Sequence, residues 1–414
     1  MRILYVGGPP AGFADLIFEG HSEARGMPSF IRPLRELIAR GHEVDFILNL
    51  DHAGMSLPFN LGVEWLRNSR FIRVRWEHRG LQRLVSPCRL YQVVRRTLSA
   101  TPYDFVYGQG SSGVPGVLAA RRSGVPCGVR LYGTFRAADL ERHSRLYTAL
   151  RHPLEYLAFT TAKDFLLVTN DGTRGDYVHQ RLVPRSPETS GFYFWLNGTD
   201  LGSERVTGGD DDCVTQPGVP PETPFLFYPA RLAYWKRQHL GVEVLKGLHD
   251  RGHREVELYL AGHCTDAAYW PEVQSLAQNY GLGEHCRYLG TLPPAAMRWH
   301  YRHALAVLSL YETTNLGNVV IEALTAGSLV VAADDGSLDH IIADGVNGLL
   351  VKTPQEAAER LAHYLAHPAL VEEVRRAARE RASLTFWSWE QRAEAEIELI
   401  ERAVGARQEK EVTP

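Results

Sequence analysis

Residues 314–327 read Thr314-Asn315-Leu316-Gly317-Asn318-Val319-Val320-Ile321-Glu322-Ala323-Leu324-Thr325-Ala326-Gly327. Apolar, strand-like runs lie on either side, at 306–310 and 329–332. The stretch therefore predicts a strand, a loop, a helix opening near Gly317 and a return strand, which is the unit of a parallel sheet. Amides at a helix N-terminus point outward without partners and carry partial positive charge, so they favour a phosphate or a developing anion. Gly317 lets backbone approach a ligand closely. Glu322 falls about one turn into the helix, where a carboxylate suits a pair of ribose hydroxyls; the plain alternative is an acid favoured by the helix dipole.

Working outward, Pro229-Ala230-Arg231-Leu232-Ala233-Tyr234-Trp235-Lys236-Arg237 follows another strand-like run, 225–228. Two cations five residues apart at the carboxyl end of a strand can reach one diphosphate, the Arg as a planar fork and the Lys as a point charge. The chain has only five lysines, and one of them stands here. Further strands are expected at 3–6, 43–50, 104–107, 128–131, 165–169, 256–261 and 286–289, with helical spacing between them, as at Phe30, Ile31, Leu34, Leu37 and Ile38. Strands alternating with helices predict an α/β protein with doubly wound parallel sheets. Residues 197–224 break the alternation with Gly, Pro, Asp and Thr. The expectation is two Rossmann-like domains: 1–199, joined by a C-terminal helix at 387–410, and 200–386. They would face each other across a cleft, with ligands outside the carboxyl ends of the strands.

Composition fits this frame. The 414 residues exceed one ordinary core, and 44% hydrophobic with 22% charged residues is a globular balance. No apolar run approaches the ~18–20 residues of a membrane span. The N-terminus enters a strand at once without a secretory leader, so a cytoplasmic protein is expected. Cys88, Cys127, Cys213, Cys264 and Cys286 are dispersed and odd in number. Buried free thiols are the reading, with neither a disulfide framework nor a metal cluster. Net charge is −3, yet residues 51–100 hold nine Arg against three acids. Arg67, Arg70, Arg73, Arg75, Arg79 and Arg83 interleave with Trp65, Phe71 and Trp76. A solvated face is favoured over a docking surface for an anionic acceptor or membrane, and nucleic acid is not expected.

Taken together, these segments resemble the family 4 glycosyltransferases, a retaining family with the GT-B fold. The resemblance runs through Gly26-Met27-Pro28-Ser29-Phe30 with Arg40-Gly41-His42-Glu43-Val44, Asn197-Gly198-Thr199-Asp200, Leu260-Ala261-Gly262, Tyr288-Leu289-Gly290-Thr291-Leu292, Asp344-Gly345-Val346-Asn347-Gly348-Leu349-Leu350-Val351 and Trp389 with its following helix. It implies transfer of a sugar from a nucleotide-diphosphate donor to an acceptor hydroxyl with retained configuration, without a cofactor or metal. The acceptor, a small molecule, lipid or saccharide, stays open, as do the sugar, the base (UDP or GDP) and the oligomeric state. Peripheral membrane contact is allowed. By resemblance Arg231 and Lys236 would hold the diphosphate and stabilise the leaving charge, and Glu322 the ribose. The segment Thr314, Asn315, Leu316, Gly317 and Asn318 would contact phosphate and sugar. Thr291 and Leu292 would border the base, Gly262 would line the pocket, and Gly26 would let a first-domain loop close over the diphosphate.

Two positions depart from the family pattern, both on the sugar side. Thr314 stands where the family usually has a Glu that contacts sugar hydroxyls, with Glu312 two residues earlier. Tyr132-Gly133-Thr134 stands where His-Gly-Thr is common. Other signals are set aside. Asp210-Asp211-Asp212 fits a DxD metal motif but sits in the polar segment. His249 and His253 lack the glutamate of a zinc helix. His300 to His303 reads as a helix surface, and Gly7 to Gly12 as a turn, since Phe13-Ala14 replaces the Lys-Ser/Thr of a phosphate loop. The competing functions are a nucleotide-sugar epimerase, a nicotinamide-dependent oxidoreductase, disfavoured by the lack of GxGxxG, and a non-catalytic nucleotide-sugar binder.

Overall fold

Thirteen strands among the described residues form two sheets in which every ladder is parallel. The computed structural model describes residues 1–24, 26–77, 79, 82–184, 191–200, 223–312 and 316–412. Contacts group the chain into one unit of Met1–Asn170, Arg174–Gly198 and Trp389–Pro414, and a second of Asp171–Thr173 with Thr199–Ser388.

In the first unit β1 (Arg2–Gly7), β2 (Glu43–Leu50), β3 (Phe71–Arg75), β4 (Phe105–Gln109), β5 (Cys127–Leu131), β6 (Phe165–Thr169) and β7 (Phe192–Trp195) lie in the order β3-β2-β1-β4-β5-β6-β7. In the second, β8 (Phe225–Pro229), β9 (Glu257–Ala261), β10 (Cys286–Tyr288), β11 (Ala306–Ser309), β12 (Val330–Ala333) and β13 (Leu349–Val351) lie as β10-β9-β8-β11-β12-β13. Both orders reverse direction once, between β1 and β4 and between β8 and β11. At such a switch point the connections leave to opposite sides and open a crevice outside the strand ends. Both sheets are therefore Rossmann-like.

Strands covered on both faces read as unbroken apolar runs, and here their side chains alternate between two cores. Leu4, Val6, Val106 and Val129 point to one face of the first sheet, Ile3, Tyr5, Phe105 and Tyr107 to the other. The second face is closed by the helix Trp389–Val412 through Ile397, Leu399, Ile400 and Val404.

Three strands were not expected from sequence: β3, β7 and β13. Each lies at the edge of its sheet; β3 is interrupted by arginines, and β7 and β13 are runs of only four and three residues. In β3 the alternating arginines are held locally. Arg70 pairs with Asp45 at 3.1 Å and reaches the Tyr103 hydroxyl at 2.8 Å, Arg73 donates to the Met55 carbonyl at 2.9 Å, and Arg75 pairs with Glu77 at 2.8 Å. The Arg-rich stretch over 67–75 is thus a sheet edge and its flank. Two other readings are corrected. Cys88 is exposed, not buried, because it sits on the outer side of the helix Gln82–Ala100. His300 and Tyr301 are 0% and 1% exposed, since the helix Pro294–His303 turns that side onto Phe227 of β8. Asp210, Asp211 and Asp212 lie outside the described residues.

Candidate functional site

The loop after β8 carries the strongest electrostatic feature of the second unit. Arg231 is exposed, and its carbonyl is fixed from below by Gln238, a fully buried side chain whose Nε2 donates to it at 2.9 Å. The chain then makes one tight turn over Tyr234–Lys236 and enters the helix Gln238–Asp250 through Arg237, which adopts a left-handed conformation at φ 54°. Lys236 Nζ lies 4.1 Å from the Trp235 ring centroid and 3.5 Å from that of Tyr311, the second residue after β11. Neither Arg231 nor Lys236 forms an ion pair among the described residues. Burial, followed by the Arg231 charge, lowers the Lys236 pKa to about 7. The Asp171 charge opposes this only in part, and the cation–π contacts recover some of the lost hydration without adding a negative charge.

The walls of this corner belong to both strands of the switch point. Tyr228 on β8 donates to the Lys236 carbonyl at 2.7 Å and accepts from the Leu310 amide at 3.2 Å. Tyr311 donates to the Pro229 carbonyl at 3.1 Å, and the Glu312 amide to the Trp235 carbonyl at 3.0 Å. Glu312 itself is exposed. Gly262, one residue past β9, has φ +142°, and a Cβ there would lie 2.2 Å from the Ala230 carbonyl oxygen. Only glycine allows the β8 and β9 ends to approach this closely. Its amide donates to the Gly290 carbonyl at 2.8 Å and its carbonyl accepts from Tyr288 at 2.7 Å, which places exposed Thr291 and half-buried Leu292 just beyond.

The helix Asn318–Ala326 starts at Gly317, and no side chain caps it. Leu316 is buried and anchors the approach, while Gly317 and Asn318 are partly exposed. Thr314 and Asn315 lie outside the described residues. Glu322 Oε2 accepts from the buried Tyr301 hydroxyl at 2.8 Å. Burial raises the Glu322 pKa to about 7; the Tyr301 hydrogen bond opposes the rise, and the charge of Asp200 adds to it. The Tyr311 hydroxyl also feels the Glu322 charge, although burial is the main cause of its raised pKa. One unit thus brings together Arg231, Lys236, Gly262, Thr291, Leu292, Leu316, Gly317, Asn318 and Glu322 around the carboxyl ends of β8, β9 and β11.

Sequence reasoning missed Trp235, Tyr301, Tyr311 and Gln238. Trp235 stood inside the quoted motif and Tyr311 directly after a strand, so both had a signal. Tyr301 had none, being read on a surface, and Gln238 looked like any polar residue opening a helix.

The remaining candidates belong to the first unit. Tyr132, following β5, donates to Gln109 Oε1 at the end of β4 at 2.6 Å, and the Arg130 guanidinium lies 5.1 Å from its ring centroid. Burial raises the Tyr132 pKa. Gly133 has φ 101°, and buried Thr134 donates to Glu155. Gly26 has φ 96° and leads through left-handed Met27 into the helix Pro28–Ala39. Among the described residues, no group of three or more His, Cys, Asp or Glu is arranged to hold a metal ion. No helix among the described residues is long and apolar enough to cross a membrane.

Comparison with known proteins agrees with this geometry. The chain is 27% identical over 310 residues to the D-inositol 3-phosphate glycosyltransferase of Nocardiopsis dassonvillei, covering 69% of this chain and 68% of that one. A protein of the same name from Segniliparus rotundus is 30% identical over 135 residues, only 30% of its length. Among solved structures, sucrose-phosphate synthase of Thermosynechococcus elongatus superposes with a TM-score of 0.73 at 20% identity, covering 98% of this chain and all of that one. Anabaena HepE, in complex with UDP and glucose, gives 0.68 at 18%, covering 97% and 100%. These neighbours carry the GT-B fold. The family described as "Glycosyl transferase 4-like domain" matches residues 32–189, and "Glycosyl transferases group 1" matches 212–381. With one family match on each of its two Rossmann-like sheets, the chain is a glycosyltransferase and belongs to family 4 of those enzymes.

Proposed function

We propose that this chain transfers a glycosyl group from a nucleoside-diphosphate sugar to an acceptor hydroxyl with retention of configuration. The second unit would bind the donor and the first the acceptor. The observation that carries the reading is Lys236, a largely buried cation held between two aromatic faces at the switch point of a parallel sheet, whose pKa stays lowered by burial and the Arg231 charge even with the opposing charge of Asp171. A diphosphate supplies the missing charge. Arg231 would grip the same group, and the amides that open the helix at Gly317 and Asn318 would face phosphate and sugar. Glu322 would accept from the ribose hydroxyls. Thr291 and Leu292 would border the base, Gly26 would let a first-unit loop close over the diphosphate, Thr314 and Asn315 would complete the donor site, and Tyr132, Gly133, Thr134 and Glu312 would shape the sugar and acceptor side.

In this scheme the bond from the anomeric carbon to the diphosphate oxygen breaks and a bond to the acceptor oxygen forms on the same face. The acceptor proton passes to the departing phosphate. The protein contributes position and fixed positive charge. Arg231, Lys236 and the helix amides provide that charge without a role for a metal. The free thiols at Cys88, Cys127, Cys264 and Cys286 support residence in a reducing compartment such as the cytoplasm. The test is a thermal-shift and calorimetric screen of UDP, GDP, ADP and TDP. At 100 times its dissociation constant, a bound diphosphate adds about 2.7 kcal/mol. Loss of that response in Lys236→Met and Glu322→Ala is the expected result. No binding by any diphosphate, or equal binding by the variants, refutes the site.

A further inference from the structure

The first unit exposes a concentrated apolar face that nothing in the transferase reading uses. Six large hydrophobic side chains point to solvent in three segments: Leu84 at 70% and Val85 at 44%, Phe135 at 60%, and Leu146 at 67%, Tyr147 at 38% and Leu150 at 76% exposure. Leu146 and Leu150 stand one turn apart on the helix Arg145–Arg151, whose Thr148 is fully buried and fixes which side faces out. The first and last of these segments meet where Arg83 Nη2 donates to the Arg151 carbonyl at 3.4 Å. The face is rigidly mounted: Ser144 caps the helix, and Arg136 pairs with Asp139 and with Glu155 behind it.

The unpaired charge around this face has one sign, since the nearby Asp139, Glu141 and Glu155 are answered by Arg136 and Arg174. Residues 78–103 and 142–154 contain eight arginines and no Asp or Glu. Arg79, Arg83, Arg142, Arg145 and Arg151 are exposed, and none forms an ion pair among the described residues. This contrasts with Arg67, Arg70 and Arg75, each of which pairs with an acid. Leucines that gain by leaving water, ringed by unpaired guanidinium groups, match an acyl-chain boundary beneath anionic headgroups. A protein partner of the same charge pattern would have to be strongly acidic and apolar together, whereas an anionic bilayer supplies both layers at once.

We propose that this face, formed by the start of the helix Gln82–Ala100 and the helix Arg145–Arg151, docks the protein on the surface of an anionic lipid bilayer. Phe135 directly follows the Tyr132-Gly133-Thr134 loop at the carboxyl end of β5, so docking brings that end of the first sheet close to the lipid surface. The inference rests on the surface alone and stands or falls independently of nucleotide binding.

The experiment is co-sedimentation of the full chain with phosphatidylglycerol-containing vesicles and with pure phosphatidylcholine vesicles, at low and high salt. Binding to the anionic vesicles alone, weakened by salt, is expected. Each arginine contributes about fivefold to partitioning. The variant Arg83→Ser/Arg145→Ser/Arg151→Ser should therefore lose roughly 100-fold, and Leu146→Asp/Leu150→Asp should abolish pelleting. Leu384→Asp, at an 85% exposed leucine of the second unit, should bind as wild type. Circular dichroism and the thermal unfolding midpoint establish that each variant is folded. Equal binding to both vesicle types, or unchanged binding by the leucine variant, overturns the proposal. So does light scattering that shows a dimer dispersed by Leu146→Asp/Leu150→Asp, which would make the face a contact between two copies.

Discussion

Replacing Glu322 with Gln tests the electrostatic core of the site without any ligand. The amide keeps the size of the side chain and an oxygen to accept from Tyr301, which lies 2.8 Å from the native carboxylate. What it removes is titration. Glu322 begins to ionise near 4.5 in the unfolded chain and near 7 in the fold, because burial penalises the charged form. Below pH 4.5 both states hold the proton and the group costs nothing. Between 4.5 and 7 the unfolded chain has lost its proton while the folded chain keeps it, so stability falls by about 1.4 kcal/mol per pH unit. Above 7 the loss is complete at about 3 kcal/mol. Wild type and Glu322→Gln should therefore have similar midpoints at pH 4.5. At pH 7.5 the variant should unfold roughly 6–12 °C higher, given the size of the second unit. Differential scanning calorimetry across that range measures the difference, and every other titrating group cancels between the two proteins. A constant difference at all pH values refutes the reasoning, since it would mean that Glu322 is ionised in water-like surroundings and is not the buried acceptor described above.

Lys236 gives the complementary case: with a pKa near 7 it is only partly charged at neutrality, so diphosphate affinity should fall as pH rises above 7. Lys236→Arg should flatten that calorimetric profile and Lys236→Met should lower affinity at pH 6 by at least tenfold, about 1.5–3 kcal/mol for a charged hydrogen bond. Gly262→Ala places a methyl carbon 2.2 Å from the Ala230 oxygen at φ +142°, and should cost about 2–5 kcal/mol in urea unfolding while displacing Arg231. Glu396→Gln leaves Arg130 and Arg392, each 1% exposed, buried without their carboxylate, for a loss of about 3–5 kcal/mol in urea unfolding. Arg130→Met should be far milder, because its side-chain nitrogens have no hydrogen-bond partner among the described residues and Glu396 keeps Arg392 at 2.9 Å.

The parallel sheets were legible because buried strands are apolar throughout and the helices between them keep their period, as in 306–332. The cations of the site were legible because Arg231 and Lys236 lie five residues apart after one strand. The aromatic setting of Lys236 was not, since Trp235 and Tyr311 are 76 residues apart in the chain and meet only through the pairing of β8 with β11. Tyr301 was hidden for a related reason. On a ten-residue helix with His300, Arg302 and His303 around it, polarity suggested a surface, whereas the packing of Phe227 against both His300 and Tyr301 turns that side inward. β3 was obscured by arginines whose charges are answered by Asp45 and Glu77, one outside and one beside the stretch being read.

In the proposed site, Lys236 and Glu322 would recognise a charged group and a hydroxylated one as parts of a single molecule. Each is held near the midpoint of its titration at neutral pH by the same cause, burial at the switch point of one sheet. An anion beside Lys236 favours its protonated form and draws a proton in. Hydroxyl donors beside Glu322 favour the carboxylate and push a proton out. A phosphate alone satisfies only the first group and must take up a proton above pH 7. A nucleoside alone satisfies only the second and must release one below pH 7. A nucleoside diphosphate answers both, so that uptake at one end offsets release at the other and the bound state forms near neutrality with little net proton exchange. On the proposed donor site, the two ionisations shifted by burial would be the terms by which the whole donor is told from its parts.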